Sequence, residues 1–241
     1  MPGKAEKNFR RTEKKYLLTA AQYRQLRQEL APCMAEDAYG LSRIVSLYCD
    51  TAEHLLIRRS LEKPTYKEKL RLRSYGVPCD GDGVFLEIKK KSEGVVYKRR
   101  VILPVEEAMA YLAGGEKPAG QGQIMEEIDW MLRRYALRPA AVISTERLAL
   151  FGREDPALRI TFDFDPRGRT EELDLRLGAH GASLLPEGTV LMELKVSAAA
   201  PLWLAELLSR MRLYPASFSK YGACYRRHIL PQTMLKEESY V

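Results

Sequence analysis

The sequence has few of the residues and patterns that mark several common classes of protein. Among its 241 residues there are only 3 histidines and 4 cysteines. The cysteines are widely spaced and match no zinc or redox motif, which favours reduced thiols in a cytoplasmic protein over a disulfide framework. We find neither a secretory signal nor an apolar stretch of membrane-spanning length. We therefore expect no direct membrane insertion, and membrane association would require a membrane-associated partner protein.

Signals for nucleic-acid binding are also missing. The net charge of +7 is moderate, and neither a helix-turn-helix signature nor a basic stretch interleaved with aromatic residues is found, so we expect no nucleic-acid partner. The hydrophobic content of 46% is sufficient for a full core. We predict one domain over residues 1–241, with residues 1–8 and 232–241 flexible.

The most informative feature that the sequence does contain is an alternation of cations. Lys67, Lys69, Arg71 and Arg73 occupy every second position, and leucines separate the last three. Alternate side chains of a strand share a face, so this segment predicts a strand with one cationic face and one mostly apolar face. A similar alternation of charged and apolar residues recurs in residues 11–15, 85–91, 96–101, 158–165 and 190–197.

Helical patterns decide between two arrangements of these strands. Two-faced strands can form a sandwich with charged outer surfaces, or a closed barrel with a charged interior. Thr19 is suited to cap a helix, and apolar residues recur at helical spacing in four segments, residues 20–30, 105–112, 124–136 and 202–211. Because these helices can cover an apolar exterior, we predict an α+β fold, an antiparallel closed β-barrel with a charged interior, wrapped by amphipathic helices.

Such an interior requires an anionic ligand. Two like charges about 6 Å apart repel by roughly 3 kcal/mol at an effective dielectric near 20, and many such pairs would accumulate. Arginine offers forked donors and lysine a compact charge, and both suit phosphate oxygens. Glu13, Glu87, Asp163 and Glu193 would bind either neighbouring cations or a divalent metal; such an oxygen-only set suits Mg²⁺ or Mn²⁺.

Seven short strings also resemble those of one known family, in the same order. They are FRRTEKKY from residue 9, SLYCDT from 46, KLRLRSYG from 69, FLEIK from 85, RITFD from 159, LMELK from 191 and FSKY from 218. The chain resembles the VTC-domain family, the vacuolar transporter chaperone type of polyphosphate polymerase, within the triphosphate tunnel metalloenzyme superfamily. Each string is weak alone, but the ordered set covers nearly the whole chain.

The resemblance implies a polymerase that transfers the γ-phosphate of ATP to a growing polyphosphate chain inside a basic tunnel. ATP and polyphosphate would be its partners. The residues expected to be catalytic are Arg71, Arg73, Lys89, Arg159, Lys195 and Glu193. The phosphate-binding set predicted from the resemblance and the alternation together is Lys15, Lys69, Lys98, Arg100, Arg147 and Lys220. Glu193 would be the leading ligand of Mn²⁺ or Mg²⁺, helped by Glu13 and Glu87.

One position departs from the superfamily. Its members often begin with two alternating glutamates before a lysine, whereas here Arg11 precedes Glu13 and Lys15. Loss of a carboxylate disfavours two-metal hydrolysis and favours the polymerase. Two alternatives stay open: a metal-dependent triphosphatase or NTPase, and a non-catalytic module that binds polyphosphate or inositol phosphates. Glu193 argues against the second alternative, since a pure anion receptor gains nothing from that carboxylate without a metal.

Overall fold

The structure, a computed structural model, describes residues 12–93, 95–197 and 199–231. The strands are β1 (Thr12–Thr19), β2 (Met34–Asp50), β3 (Tyr66–Tyr75), β4 (Gly83–Ser92), β5 (Val95–Pro104), β6 (Arg138–Gly152), β7 (Arg159–Arg169), β8 (Ala182–Ser183) and β9 (Thr189–Val196). The helices are α1 (Ala20–Leu30), α2 (Leu55–Leu61), α3 (Val105–Leu112), α4 (Gly122–Arg134), α5 (Leu202–Arg210) and α6 (Lys220–Cys224), with a 3₁₀ turn at Leu175–Leu177 and a π-helical turn at Tyr225–Ile229.

All nine strands belong to one antiparallel sheet. The strand order is β1-β9-β7-β6-β2-β3-β4-β5, and β8 pairs with β7. The α+β class and the antiparallel sheet agree with the prediction. The closed barrel is not confirmed, because the edge strands β1 and β5 share no backbone hydrogen bonds within the described residues. None of the helices in the described ranges combines the length and hydrophobicity that crossing a bilayer requires.

Helices cover one face of the sheet in two groups. Helices α3 and α4 pack on β2, β3, β4 and β5, where Leu72 and Leu86 are fully buried. Helices α1 and α5 pack on β1, β6, β7 and β9, around the fully buried Phe162. The apolar rows predicted from alternation therefore form the buried face, and the charged rows lie on the opposite face of the sheet.

The predicted helices are confirmed. Helices α1 and α3 have the predicted bounds, and α4 and α5 begin and end within two residues of them. Thr19 caps α1 as expected, because its hydroxyl accepts a hydrogen bond from the Gln22 amide while the Gln22 side chain accepts one from the Thr19 amide. This reciprocal pair satisfies two donors that a helix start leaves unpaired.

The two longest strands, β2 with 17 residues and β6 with 15, were not among the predicted strands. Strand β6 is buried along most of its length on both faces, since α6 and the π-helical turn pack on its uncovered side. A strand buried on both faces reads as a continuous apolar run, so it gives no alternation.

The C-terminal segment fills one end of the charged face. Tyr221 stacks on Tyr48 of β2 with 4.9 Å between ring centroids, and its hydroxyl donates to Asp50 Oδ2. Asp50 also accepts hydrogen bonds from the amides of Leu56 and Ile57 in the first turn of α2. One buried carboxylate thus fastens α2 and α6 to the sheet, and leaves the rest of the charged face free to line a site.

Candidate functional site

Lys89 of β4 lies 3.9 Å from Glu13 of β1, although these strands are near opposite ends of the sheet, so the charged face curls into a concave surface. The space in front of this surface is called the bore below. Cross-strand register places the charged rows of neighbouring strands side by side, for example Lys69 with Lys89 and Arg71 with Glu87. All residues predicted for the site face the bore. From the sheet these are Glu13, Lys15, Lys69, Arg71, Arg73, Glu87, Lys89, Lys98, Arg100, Arg147, Arg159, Glu193 and Lys195, and Lys220 reaches the bore from α6.

On one wall of the bore, Glu87 of β4 holds a cluster of cations. Its carboxylate is 1% exposed, and Arg71 Nε donates to Oε2 at 2.7 Å. Lys98 Nζ lies 2.6 Å from Oε1, and Arg73 Nε lies 4.0 Å from Oε2. Burial alone would raise the pKa of Glu87, but Arg71, Arg73 and Lys98 lower that pKa to about 2. Glu87 is therefore the counter-ion of this wall, and it stays ionised at neutral pH.

On the other wall, Asp163 and Glu193 hold a second cluster. Arg147 donates from Nε and Nη2 to the two oxygens of Asp163 at 2.6 and 2.7 Å, and Lys220 bonds Asp163 Oδ2 as well. Glu193 lies within 3.4 to 3.7 Å of Lys15, Lys220, Lys195 and Arg147. Burial would raise the pKa of each carboxyl group, but these cations hold both pKa values below their usual range.

Other cations of the bore have no counter-ion. Within the described residues, Lys67, Lys69 and Lys91 make no ion pair. Burial, together with Lys15, Lys67 and Lys89, lowers the pKa of Lys69 to about 8, although Tyr48 acts in the opposite direction. Burial likewise lowers the pKa of Lys98 and that of Lys195. The bore is thus short of negative charge, which is what an anion-binding site requires.

Two predicted cations, Arg159 and Arg100, contact neither carboxylate cluster. Arg159 of β7 pairs with Asp37 of β2 at 3.6 Å. Arg100 of β5 has no ion pair with a described residue, and its guanidinium lies over the ring of Phe85, 4.5 Å from the centroid. These two arginines are less firmly held than Arg71 or Arg147, so they are free to turn toward a ligand.

The carboxylates of the bore could supply only part of the coordination shell of a divalent metal. Lys15 Nζ lies 3.4 Å from Glu193 and 3.7 Å from Glu13, so these two carboxylates are neighbours, whereas Glu87 belongs to the other wall. No three of the described His, Cys, Asp and Glu residues are grouped to hold an ion. One or two carboxylates are nevertheless what Mg²⁺ and Mn²⁺ use when substrate phosphates complete their coordination. The donor set on this wall fits such an ion.

Sequence reasoning missed one prominent residue of the bore. Tyr48 lies opposite Arg71 in register, and its hydroxyl oxygen accepts a hydrogen bond from Arg71 Nη1 at 3.4 Å. Burial raises the pKa of Tyr48, but Arg71, Lys69 and Arg73 outweigh it and lower that pKa to about 7. The available signal was the period-two spacing of Ser46, Tyr48 and Asp50 in the SLYCDT string.

A second missed residue is Thr161 of β7. It lies opposite Glu193 in register and is 5% exposed, yet its hydroxyl has no hydrogen-bond partner among the described residues. An unpaired buried hydroxyl is costly, so it is a donor in reserve for the Glu193 carboxylate or for a ligand beside it.

Three sequence predictions fall outside the described residues. They are the role of Arg11, the flexibility of residues 1–8 and the flexibility of residues 232–241.

Comparison with known proteins finds a family match over most of the chain. A family model described as the VTC domain matches residues 10–229. Vacuolar transporter chaperone complex subunit 4 of Trypanosoma brucei brucei is 29% identical over 237 residues, which cover 78% of this chain and 30% of that protein. The subunit 4 of Trypanosoma cruzi is 29% identical over 224 residues, covering 75% of this chain and 27% of that protein. The chain thus spans less than a third of the length of these relatives.

A solved structure has the same fold. A Bacillus halodurans protein described as a candidate adenylate cyclase superposes with a TM-score of 0.56 and 15% identity, covering 90% of this chain and 96% of that one. At this identity the likeness concerns the fold alone.

Proposed function

The chain belongs to the VTC domain family, and from that premise we propose that it is a metal-dependent polyphosphate polymerase that uses ATP. The observation that carries this proposal is the pair of facing cation clusters in one bore, with Arg71 and Lys98 on one wall and Arg147 and Lys195 on the other. A linear polyanion lying between the walls would contact both. ATP and polyphosphate are the proposed ligands, and a cytoplasmic location remains part of the proposal.

Phosphoryl transfer requires little covalent catalysis by a protein. The γ-phosphoryl group passes in line from the oxygen bridging it to the β-phosphate to an oxygen of the acceptor, and ADP leaves. The terminal phosphate of a polyphosphate chain is already ionised, so no general base is needed. This agrees with the positions of His54, His180 and His228, none of which lies in the charged rows of the bore.

The residues of the bore would position the reactants and neutralise charge. Arg73, together with the N–H groups that Arg71 and Arg147 do not use on Glu87 and Asp163, offers donors for the equatorial oxygens, where negative charge is spread in the transition state. Lys15, Lys195 and Lys220 surround Glu193 at 3.4 to 3.6 Å and would turn toward phosphate as a ligand enters. Arg71 and Arg147 are already held in place by Glu87 and Asp163 in the folded protein, which lowers the cost of organising them during the reaction.

Glu193, with Glu13 beside it, would hold the divalent ion. When bound, Mn²⁺ or Mg²⁺ would neutralise charge on the β- and γ-phosphate oxygens. The remaining chemistry is binding and orientation by the side chains named above.

The direct test is to incubate the purified protein with ATP and Mn²⁺, then resolve phosphate species on a gel and measure ADP. We expect long phosphate chains, with one ADP released for each phosphate incorporated. Free phosphate alone would identify a hydrolase instead, and tight polyphosphate binding without ADP release would identify a receptor.

A Glu193→Gln variant makes the test specific to the bore. It should keep tripolyphosphate binding in the presence of EDTA and lose metal-dependent turnover. The matched control is Glu29→Gln on α1, an exposed glutamate paired with Arg210 on the helical exterior, which should leave turnover unchanged. Undiminished turnover in Glu193→Gln would remove this residue from the mechanism.

A further inference from the structure

Aromatic and apolar side chains lie at one mouth of the bore, where phosphate contacts alone give them no role. Tyr75 ends β3 and is 58% exposed, and Ile102 of β5 is 57% exposed. The rings of Tyr75 and Phe85 meet edge to face with 5.8 Å between centroids. The Arg100 guanidinium covers Phe85. These four residues are called the aromatic mouth.

The aromatic mouth continues the rows of phosphate-directed cations. Tyr75 shares the face of Arg71 and Arg73, and Phe85 lies directly opposite Arg73 in register. At a strand rise of about 3.3 Å per residue, the Cα atoms of Tyr75 and Arg71 lie roughly 13 Å apart. This is on the order of the length of an extended nucleoside triphosphate.

The position of Tyr75 also ties the mouth to the opposite wall. Tyr75 pairs with Ile44 of β2, and Ile44 pairs with Thr145 of β6, two residues from Arg147 on the same face. On the side of the bore away from Tyr75, Tyr221 of α6 stacks on Tyr48, which lies opposite Arg71. A rigid, flat group therefore has more room at the aromatic mouth than beside α6.

We propose that the aromatic mouth is a nucleobase subsite, in which the base of a nucleoside triphosphate stacks on Tyr75, Phe85 and Arg100 while its phosphates extend inward to Arg73 and Arg147. This inference rests on the proposed function and sets the direction of the substrate. The γ-phosphate would point into the bore, and the nucleoside diphosphate would leave through the aromatic mouth.

Stacking also defines the class of substrate. Every base has a flat π-face, and rings and guanidinium groups stack on all of them with little discrimination. We therefore expect ATP and GTP to bind with similar affinity, within about threefold. Inorganic tripolyphosphate has no base, so it would bind through the cations alone.

The test compares ATP with tripolyphosphate by calorimetry in EDTA, which prevents turnover. Tyr75→Leu and Phe85→Leu, alone and combined, keep an apolar side chain but remove the ring. We expect the Kd for ATP to rise about tenfold in each single variant, and that for tripolyphosphate to change less than twofold. The control is Tyr97→Leu, an exposed tyrosine on the opposite face of β5, which should change neither Kd.

Photolabelling gives a second readout that does not depend on the variants folding. With 8-azido-ATP the labelled peptides should contain residues of the aromatic mouth, and excess tripolyphosphate should suppress labelling by competing for the cations. An equal loss of both ligands in the leucine variants, unchanged ATP binding, or labelling elsewhere would each overturn the subsite. The wild-type protein could make no polyphosphate while the leucine variants selectively lose affinity for ATP. In that case the subsite stands and the polymerase proposal fails.

Discussion

Lys89 of β4 and Glu13 of β1 form an ion pair, with 3.9 Å between Nζ and Oε2, although the two strands lie near opposite ends of the sheet. Both side chains are partly exposed, so the pair contributes little stability by itself. Its value is geometric: the contact requires the sheet to curl until the cations of β3 to β5 face the carboxylates of β1 and β9. Side chains therefore meet across the gap that backbone hydrogen bonds leave open.

The charge of Lys69 should destabilise the empty protein. Burial and neighbouring lysines lower its pKa to about 8 from 10.5, so the unfolded chain holds this proton more tightly than the folded one. The destabilisation is complete below pH 8 and disappears as pH rises from 8 to 10.5. Lys69→Met should therefore raise the free energy of unfolding at pH 7 by about 1–3 kcal/mol.

Urea denaturation at several pH values measures the effect of Lys69→Met. The gain should shrink toward zero by pH 10.5, and tripolyphosphate should bind the variant more weakly. Lys14→Met, an exposed lysine on the other face of β1, is the control and should change little. A gain in unfolding free energy that does not depend on pH would contradict the lowered pKa of Lys69.

Removal of the Glu87 carboxylate should have the opposite effect on stability. The folded-state pKa of Glu87 is about 2 and its ordinary value is 4.5, so its stabilisation is present above pH 4.5 and lost as pH falls through 2. Glu87→Gln leaves Arg71, Arg73 and Lys98 without their counter-ion. We expect a loss of about 3 kcal/mol at pH 7.

The loss of unfolding free energy in Glu87→Gln can be measured by urea denaturation at several acidic pH values. It should vanish near pH 2, and saturating tripolyphosphate should partly reverse it, because phosphate replaces the missing negative charge. Equal stability of the variant and wild type at pH 7 would show that Glu87 is not the counter-ion of this wall.

Tyr48 should ionise far below an ordinary tyrosine. Its pKa of about 7 predicts a tyrosinate absorbance step near pH 7 that is absent from Tyr48→Phe. Because the folded pKa is lowered from 10, the associated stabilisation is complete above pH 10 and is lost as pH falls through 7. Bound tripolyphosphate should move the step to higher pH, since a nearby anion disfavours the phenolate. A wild-type protein in which no tyrosine titrates below about pH 9 would refute this assignment.

Much of the fold could be predicted from local patterns. The capped helix α1 and the alternating strand β3 each carry a complete signal within their own residues, so both were found. Strand β6 and residues 44–50 of β2 could not be found in this way, because tertiary packing buries them on both sides. The earlier half of β2 is mostly exposed, and a register shift between Glu36 and Leu41 interrupts it. The curl of the sheet brings β1 toward β5 without pairing these two strands with each other. It depends on the twist of the whole sheet, which no local pattern encodes.

The site was predictable where charge alternates and unpredictable where it does not. Arg71 and Lys195 belong to alternating strands, so the pattern placed them on the charged face. Tyr48 lies on a strand whose other side is also buried, and its significance comes from Arg71 opposite it. Thr161 stands in an alternating row, but its missing hydrogen bond can only be recognised in three dimensions.

Both walls of the bore should bind one polyphosphate ligand at the same time. Calorimetric titration with tripolyphosphate measures this, using Arg73→Met from one wall and Lys195→Met from the other. Burial lowers the pKa of both residues, which means that the folded state disfavours their positive charges. Removal of these charges should therefore not unfold the protein. The control is Arg133→Met, a 71% exposed arginine on α4. We predict that each bore variant raises the Kd at least about tenfold, that the double variant loses binding, and that the control matches wild type. Wild-type affinity in the double variant would contradict the account.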